Sequence, residues 1–218
     1  MGIVGPVGSG KSTLFKLLLR LEDTPEDCIF LAGQDISTHS QASVRKCFSY
    51  VGQEPFLFSE SIENNLRLSS PSASIAELEQ AVDSAALGRD IEDFPDGLET
   101  ILGERGISLS GGQKQRASLA RALLRAAPIL LLDDTLSAVD TVTESQILQR
   151  LRERQKRVQQ SVIIVSHRLS AVQDADEILV FDSGRILERG RHSELVSAGS
   201  LYQQLHEHQS NSGGDHLV

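Results

Sequence analysis

A chain of 218 residues carrying 21 Lys+Arg against 30 Asp+Glu, for a formal charge of −9, suits one globular domain or a domain with a subdomain. The acidic balance argues against nucleic acid phosphates or an anionic bilayer surface as partners. Cys28 and Cys47 lack a CxxC spacing and fit reduced thiols better than a disulfide framework or a zinc site, and no apolar run approaches the roughly 18 residues of a membrane helix.

In chain order, Gly2–Val4 is a short apolar strand that runs straight into the glycine-rich stretch 5–12. Lys11–Leu21 follows with Leu14, Leu17, Leu18 and Leu21 at helical spacing. Cys28–Leu31 and Ser49–Val51 read as further strands. From Ile62 to Leu87 the sequence is helix-forming and holds no buried-strand run. Gln113–Leu124 returns to helical spacing with Leu119, Leu123 and Leu124, and Pro128 closes that region. Ile129–Leu132 is a strand, Thr143–Arg157 is a surface helix with a stripe of Ile147, Leu148 and Leu151, and Val162–Val165 and Ile178–Phe181 are strands.

Short runs that are apolar throughout fit parallel strands covered on both faces, and their alternation with helices predicts an α/β, doubly wound sheet. Residues 1–59 and 126–205 are expected to form this core. Residues 60–125 are expected to be an inserted α-helical subdomain, and 206–218, polar and glycine-bearing, a disordered tail. A first strand this short leads us to expect further sequence upstream of Met1.

Gly5-Pro6-Val7-Gly8-Ser9-Gly10-Lys11-Ser12 matches G-x-x-x-x-G-K-[ST] in full, after a strand and at the opening of a helix. Glycines let successive backbone N–H groups curl round an anion, and the helix start adds partial positive charge. Gly5, Val7, Gly8, Ser9, Gly10, Lys11, Ser12 and Thr13 are therefore candidate nucleotide-binding residues. Lys11 would reach the β- and γ-phosphates, and the Ser12 hydroxyl would ligate Mg²⁺. The run Ile129–Leu132 ends in Asp133, which would hold the same Mg²⁺ through water. Together these predict a P-loop NTPase with a RecA-like parallel-sheet core and with ATP and Mg²⁺ as cofactors. A GTPase is disfavoured because no N-K-x-D motif occurs.

Between the two halves lies Leu109-Ser110-Gly111-Gly112-Gln113. A serine cap and a glycine turn account for it locally. Its place in the chain resembles the signature of the ATP-binding cassette (ABC) family. The resemblance implies that Ser110, Gly111, Gly112 and Gln113 meet the γ-phosphate of ATP held by a second cassette, so that two cassettes sandwich two nucleotides head to tail. It further implies that Gln53, in Val51-Gly52-Gln53-Glu54-Pro55, is the Q-loop glutamine, which contacts Mg²⁺ and the attacking water. Asp140, in Ser137-Ala138-Val139-Asp140, is similar to the D-loop that reaches across the dimer. His167, after Ile164-Val165-Ser166, resembles the switch histidine at the γ-phosphate. The stretches Gln53–Phe58, Ser61–Asn65 and Thr100–Gly106 resemble exporters in particular, with Glu104 and Arg105 where coupling helices of membrane domains dock. Implied partners are thus a second nucleotide-binding domain and transmembrane domains in the same full-length chain, at the cytoplasmic face of the cell (inner) membrane, with no nucleic acid.

One position departs from the family. Asp134 and Thr135 stand where the family has glutamate and proline. Asp134 is a methylene short, which sets the general base about 1 Å back from the water, and a displacement of that size can cost about 10²-fold in rate. Asp134, His167 and Gln53 are the expected catalytic set, with Asp134 a slow member. A slow Walker site beside an intact signature resembles one half of a heterodimeric multidrug or lipid-type exporter and favours a heterodimer over a homodimer. Asp134 also keeps open a regulatory module with little hydrolysis. A soluble, non-transport ABC ATPase is disfavoured by the absence of heptads and of a second cassette. The family's adenine-stacking aromatic would precede Met1, so the chain is expected to be a C-terminal piece of a longer exporter subunit or the product of a truncated gene.

Overall fold

The computed structural model describes residues 1–103, 106–197 and 199–212. In chain order its elements are β1 (Gly2–Val4), α1 (Lys11–Leu18), β2 (Phe30–Leu31), β3 (Gln34–Asp35), α2 (Gln41–Lys46), β4 (Phe48–Val51), α3 (Ile62–Arg67), α4 (Ile75–Ser84), α5 (Gly88–Asp93), α6 (Gly111–Arg125), β5 (Ile129–Asp133), α7 (Thr141–Val158), β6 (Ser161–Val165), β7 (Ile178–Asp182), β8 (Arg185–Gly190), α8 (His192–Leu195) and α9 (Leu201–Ser212). The alternation of apolar strands and helices is the α/β class expected from the sequence. The chain folds as two units, Met1–Lys46 with Ile163–Val218, and Cys47–Val162.

In the first unit β1 lies between two parallel neighbours. Gly2 and Ile3 stand opposite Ile164 and Val165 of β6, and Gly2, Ile3 and Val4 stand opposite Ile178, Leu179 and Val180 of β7. Three residues suffice for this strand because ladder bonds on both sides satisfy its backbone while Ile3, Val4, Ile178 and Val180 are buried. Gly2 is required there: a Cβ would lie 2.6 Å from that of Val172. β8 pairs antiparallel with β7, an edge the sequence reading missed because its Ile186 and Leu187 are exposed and its remaining residues polar.

Two expectations change here. Cys28–Leu31 is not a sheet strand: only Phe30–Leu31 is extended, in a two-stranded antiparallel hairpin with β3, turned by Ala32 and Gly33 at φ 50° and 79°. The tail does not begin at residue 206, since α9 runs on to Ser212. Its polar end is helical because its beginning is fixed. Tyr202 is wholly buried, its hydroxyl pairs with His192 Nδ1 at 2.8 Å, and the Glu188 carboxylate accepts from the Leu201 and Tyr202 amides at 2.7 and 3.3 Å.

In the second unit β4 and β5 pair in parallel, Phe48 to Val51 opposite Ile129 to Leu132. Leu130, Leu131 and Leu132 are fully buried. Between them in sequence lie α3 to α6, and α6 packs on α3, α4 and β4. Small residues make that contact close: Ala117, Ala120 and Ala122 are buried along α6 beside Leu119 and Leu123. Ser74 and Ser110 start α4 and α6 with capping boxes to Glu77 and Gln113. Glu104 and Arg105, expected at a docking surface, lie outside the described residues, as do 213–218 of the expected tail.

Candidate functional site

The expected site residues fall into two sets, one on each unit. In the first unit the chain leaves β1 through Gly5, Gly8 and Gly10 at φ 148°, 81° and 100° and enters α1 with Gly10 as its N-cap. Gly5 has no alternative, because a Cβ there would meet the Phe181 carbonyl oxygen at 2.1 Å. The buried Ser9 accepts from the Gly184 amide at 2.9 Å through its carbonyl, tying the loop to the β7–β8 turn. Lys11 Nζ donates to the Gly5 and Pro6 carbonyls at 2.9 and 2.7 Å and to Ser9 Oγ at 3.3 Å. Its ammonium is thereby held over the loop. Val7 is fully exposed at the loop tip, so any contact it makes with a phosphate runs through its backbone. Ser12 and Thr13 are exposed on the first turn of α1.

His167 belongs to the same unit and to the same edge of its sheet. β1 and β6 are parallel neighbours, and the Ser166 amide donates to the Ile3 carbonyl at 3.1 Å. The glycine loop and the His167 loop thus leave adjacent strands at their carboxyl ends, the edge at which α/β sheets bind ligands. The His167 ring is exposed there.

In the second unit the same logic gathers Gln53, Asp133 and Asp134. Val51 of β4 stands opposite Leu132 of β5, so the exposed Gln53 and the two carboxylates follow the ends of paired strands. Asp133 is buried, and Tyr50 donates to its Oδ2 at 3.4 Å. Burial first and the Asp133 charge second push the Tyr50 hydroxyl up to about 12, so it stays a donor. Asp134 adopts φ 49°, a left-handed conformation that Asp tolerates. The neighbouring Thr135 is buried and donates from Oγ1 to the Val51 carbonyl at 3.3 Å, joining the carboxylate turn to the strand that leads to Gln53.

The signature starts α6. Ser110 Oγ accepts from the Gln113 amide at 3.2 Å, and Gln113 Oε1 accepts from the Ser110 amide at 2.8 Å. A hydroxyl used as an acceptor keeps its own proton to donate. Gln113 also donates to Asp90 Oδ1 at 2.9 Å, and Arg116 pairs with Asp90 Oδ2 at 2.7 Å. The Gln113 side chain is therefore part of the helix's own framework. Asp140 is likewise the N-cap of α7, accepting from the Val142 and Thr143 amides at 3.1 and 2.9 Å, and those bonds, Thr143 foremost, hold its carboxyl below the usual range.

Sequence reasoning missed Gln115. Buried in α6, it donates to Ser137 Oγ at 3.1 Å and accepts from the Ala138 amide at 3.0 Å, while Ser137 Oγ donates to the Asp134 carbonyl at 3.0 Å. The signature helix is thus bonded to the turn that carries Asp134. A glutamine on a helix's buried stripe, one turn before Leu119, is the signal that marks it.

These donors suit a magnesium nucleotide. Mg²⁺ is held by oxygen ligands, commonly one or two carboxylates with phosphate and water completing the shell; Ser12 of the first unit, and Gln53 and Asp133 of the second, each carry a hard oxygen donor. Among the described residues no cluster of three His, Cys, Asp or Glu could hold a metal alone, which a metal shared with phosphates does not need. The Gly10-capped helix start with Lys11 folded over its loop fits a polyphosphate.

Residues 1–137 match the family model described as ABC transporter. The chain is 44% identical over 207 residues to the ATP-dependent lipid A-core flippase of Vibrio cholerae serotype O1, across 94% of this chain and 35% of that protein. To the iron-sulfur clusters transporter ATM1, mitochondrial, of Candida albicans it is 42% identical over 213 residues, across 97% and 28%. Its fold superposes on the structure of a bacterial Atm1-family ABC exporter with ATP bound at a TM-score of 0.90 and 42% identity, covering 96% of this chain and 36% of that one. The chain spans about a third of the length of these relatives. It belongs to the ABC transporter family.

Proposed function

We propose that this chain is the nucleotide-hydrolysing domain of an exporter, closing with a second cassette around ATP to drive transport across a membrane from its cytoplasmic face. The observation that carries this reading is the presence of two unlike anion traps on one chain, the glycine loop before α1 and the Ser110-capped start of α6. One grips a nucleotide's phosphates along their length. The other presents a hydroxyl and the Gly111 and Gly112 amides to a terminal phosphate, and it has a use when that phosphate belongs to a partner. Gly5 to Thr13 hold ATP, with Ser12, Gln53 and Asp133 around Mg²⁺, Asp134 as a short general base and His167 at the γ-phosphate. Asp140 acts across the dimer from the turn it caps.

The second unit supplies a surface for membrane domains. A groove of about 390 Å³ is lined by Tyr50, Phe56, Phe58, Leu68 and Arg121. Phe56 and Phe58 meet edge to face at 4.9 Å and are 64% and 48% exposed. An apolar patch of this kind fits a docked helix better than water. Transmembrane domains carried by the same full-length protein are its proposed occupant.

Asp134 favours pairing with a different cassette that supplies the faster site. The test is ATP-driven association and ATPase turnover of the full-length protein, alone and with a candidate partner half. Nucleotide-dependent pairing is expected, with turnover highest in the mixed assembly. Asp134→Glu should raise hydrolysis at this site by about 10-fold or more if the missing methylene sets the distance to water. An unchanged rate removes the geometric argument, and a lack of nucleotide-driven pairing removes the whole reading.

A further inference from the structure

α9 ends on the loop that carries His167. The side-chain amide of Gln209 donates from Nε2 to the His167 carbonyl at 2.6 Å and accepts through Oε1 from the Leu169 amide at 3.0 Å. The two bonds reach alternate residues of one extended stretch, as a neighbouring strand would, and they match the amide end for end. A flipped amide would set oxygen against oxygen. Leu169 opens the 3-10 turn Leu169–Ala171, against which α9 packs, so Gln209 also satisfies a donor at the start of that turn.

The upstream side of the loop is held separately. Ser166 donates its amide to the Ile3 carbonyl and accepts at Oγ from the Arg168 amide at 2.9 Å. The backbone on both sides of His167 is thus defined: Ser166 ties it to β1, and Gln209 ties it to α9. The ring is exposed, and it projects from a backbone held on both sides. At its other end α9 is fixed by Glu188 and the buried Tyr202. From Leu201 to Gln209, helical rise makes it a strut of about 12 Å between β8 and the histidine loop.

We infer that Gln209 is a positioning residue for His167, and that α9 sets hydrolysis at this site by fixing where the imidazole points. The inference rests on the reading of His167 as the γ-phosphate contact. The Gln209 side chain bonds to the histidine loop, so its loss should change turnover more than nucleotide affinity.

The experiment is single-turnover ATP hydrolysis by the full-length protein with its partner half, the partner's own site being silenced at its P-loop lysine. Gln209→Ala should lower the rate about 5- to 20-fold, with the ATP concentration for half-maximal rate within about 2-fold of the parent. Gln209→Glu keeps the length and the acceptor but turns a carboxylate toward the His167 carbonyl, and it should fall at least as far while melting like the parent. In a His167→Ala background Gln209→Ala should add less than about 2-fold, because both then act on one missing group. Hydrogen exchange at the Leu169 amide should rise in Gln209→Ala. Unchanged turnover, a change confined to ATP affinity, or an equal loss in both backgrounds overturns the inference. Parent-like turnover of His167→Ala with Gln209 intact overturns the underlying reading of His167, a result visible in that variant alone.

Discussion

The two helix starts read as phosphate traps are built in opposite ways. α1 opens on Gly10 in a left-handed conformation, with no side-chain cap. α6 opens on Ser110 in an extended conformation, with a full capping box. A glycine cap contributes nothing to the first-turn donors beyond a path that aims them at one point, so their natural acceptor is a multiply charged anion. A serine cap satisfies one donor from within and leaves a hydroxyl and two glycine amides for a lighter contact. On the proposed reading the first site holds the nucleotide. The second is already ordered by its own side chains and suits transient engagement with a phosphate held elsewhere.

Substitutions at the glycines should break this contrast most strongly. Gly5→Ala forces a Cβ onto the Phe181 carbonyl in a conformation glycine prefers, and a loss of about 3 kcal/mol with abolished ATP binding is expected in thermal melts and nucleotide titrations. Gly111→Ala meets only the Ala138 Cβ at an ordinary 3.5 Å and should leave the melt near the parent value. A parent-like Gly5→Ala would show that the loop is not fixed by its surroundings.

A middle-sized effect is expected at the link behind the signature. Gln115→Ala removes a buried amide and strands the Ala138 amide it serves, which should cost about 1–3 kcal/mol by denaturant unfolding. It should also lower partner-dependent turnover, since the same turn carries Asp134. Stability lost without any change in turnover would separate the signature helix from the catalytic turn.

The smallest effect sharpens the comparison best. Ser110→Ala deletes the cap and should cost about 1 kcal/mol, with ATP affinity at this chain's own glycine loop unchanged and partner-dependent hydrolysis reduced. Equal loss of ATP affinity would mean that the two helix starts do not serve separate nucleotides.

Most of the candidate site was legible because its motifs are contiguous. Gly5 to Ser12 and Leu109 to Gln113 state their backbone conformations in consecutive residues, and Asp133 ends an apolar run that could only be a buried strand. Cys28–Leu31 misled for the same local reason: four apolar or compact residues resemble a strand of the main sheet, yet only Phe30 and Leu31 are extended, and the following Ala32-Gly33 turn pairs them in a hairpin. The end of α9 misled in the opposite sense, since Gln204 to Ser212 is polar in composition and its helix depends on anchors at Glu188 and Tyr202.

Sequence alone determined the groups on offer: a glycine loop of the phosphate-binding pattern, a serine-capped signature, a strand-end carboxylate and a second carboxylate, Asp134, directly after it. It could do so because each is a property of a few neighbouring residues. Tertiary structure decided which side chains stand behind them. Gln115 finds Ser137 across 22 residues, Gln209 finds His167 across 42 and Tyr50 finds Asp133 across 83. Hydrogen bonds of that reach depend on which strands lie side by side and where a helix happens to end, and neither is written in any local run of the chain.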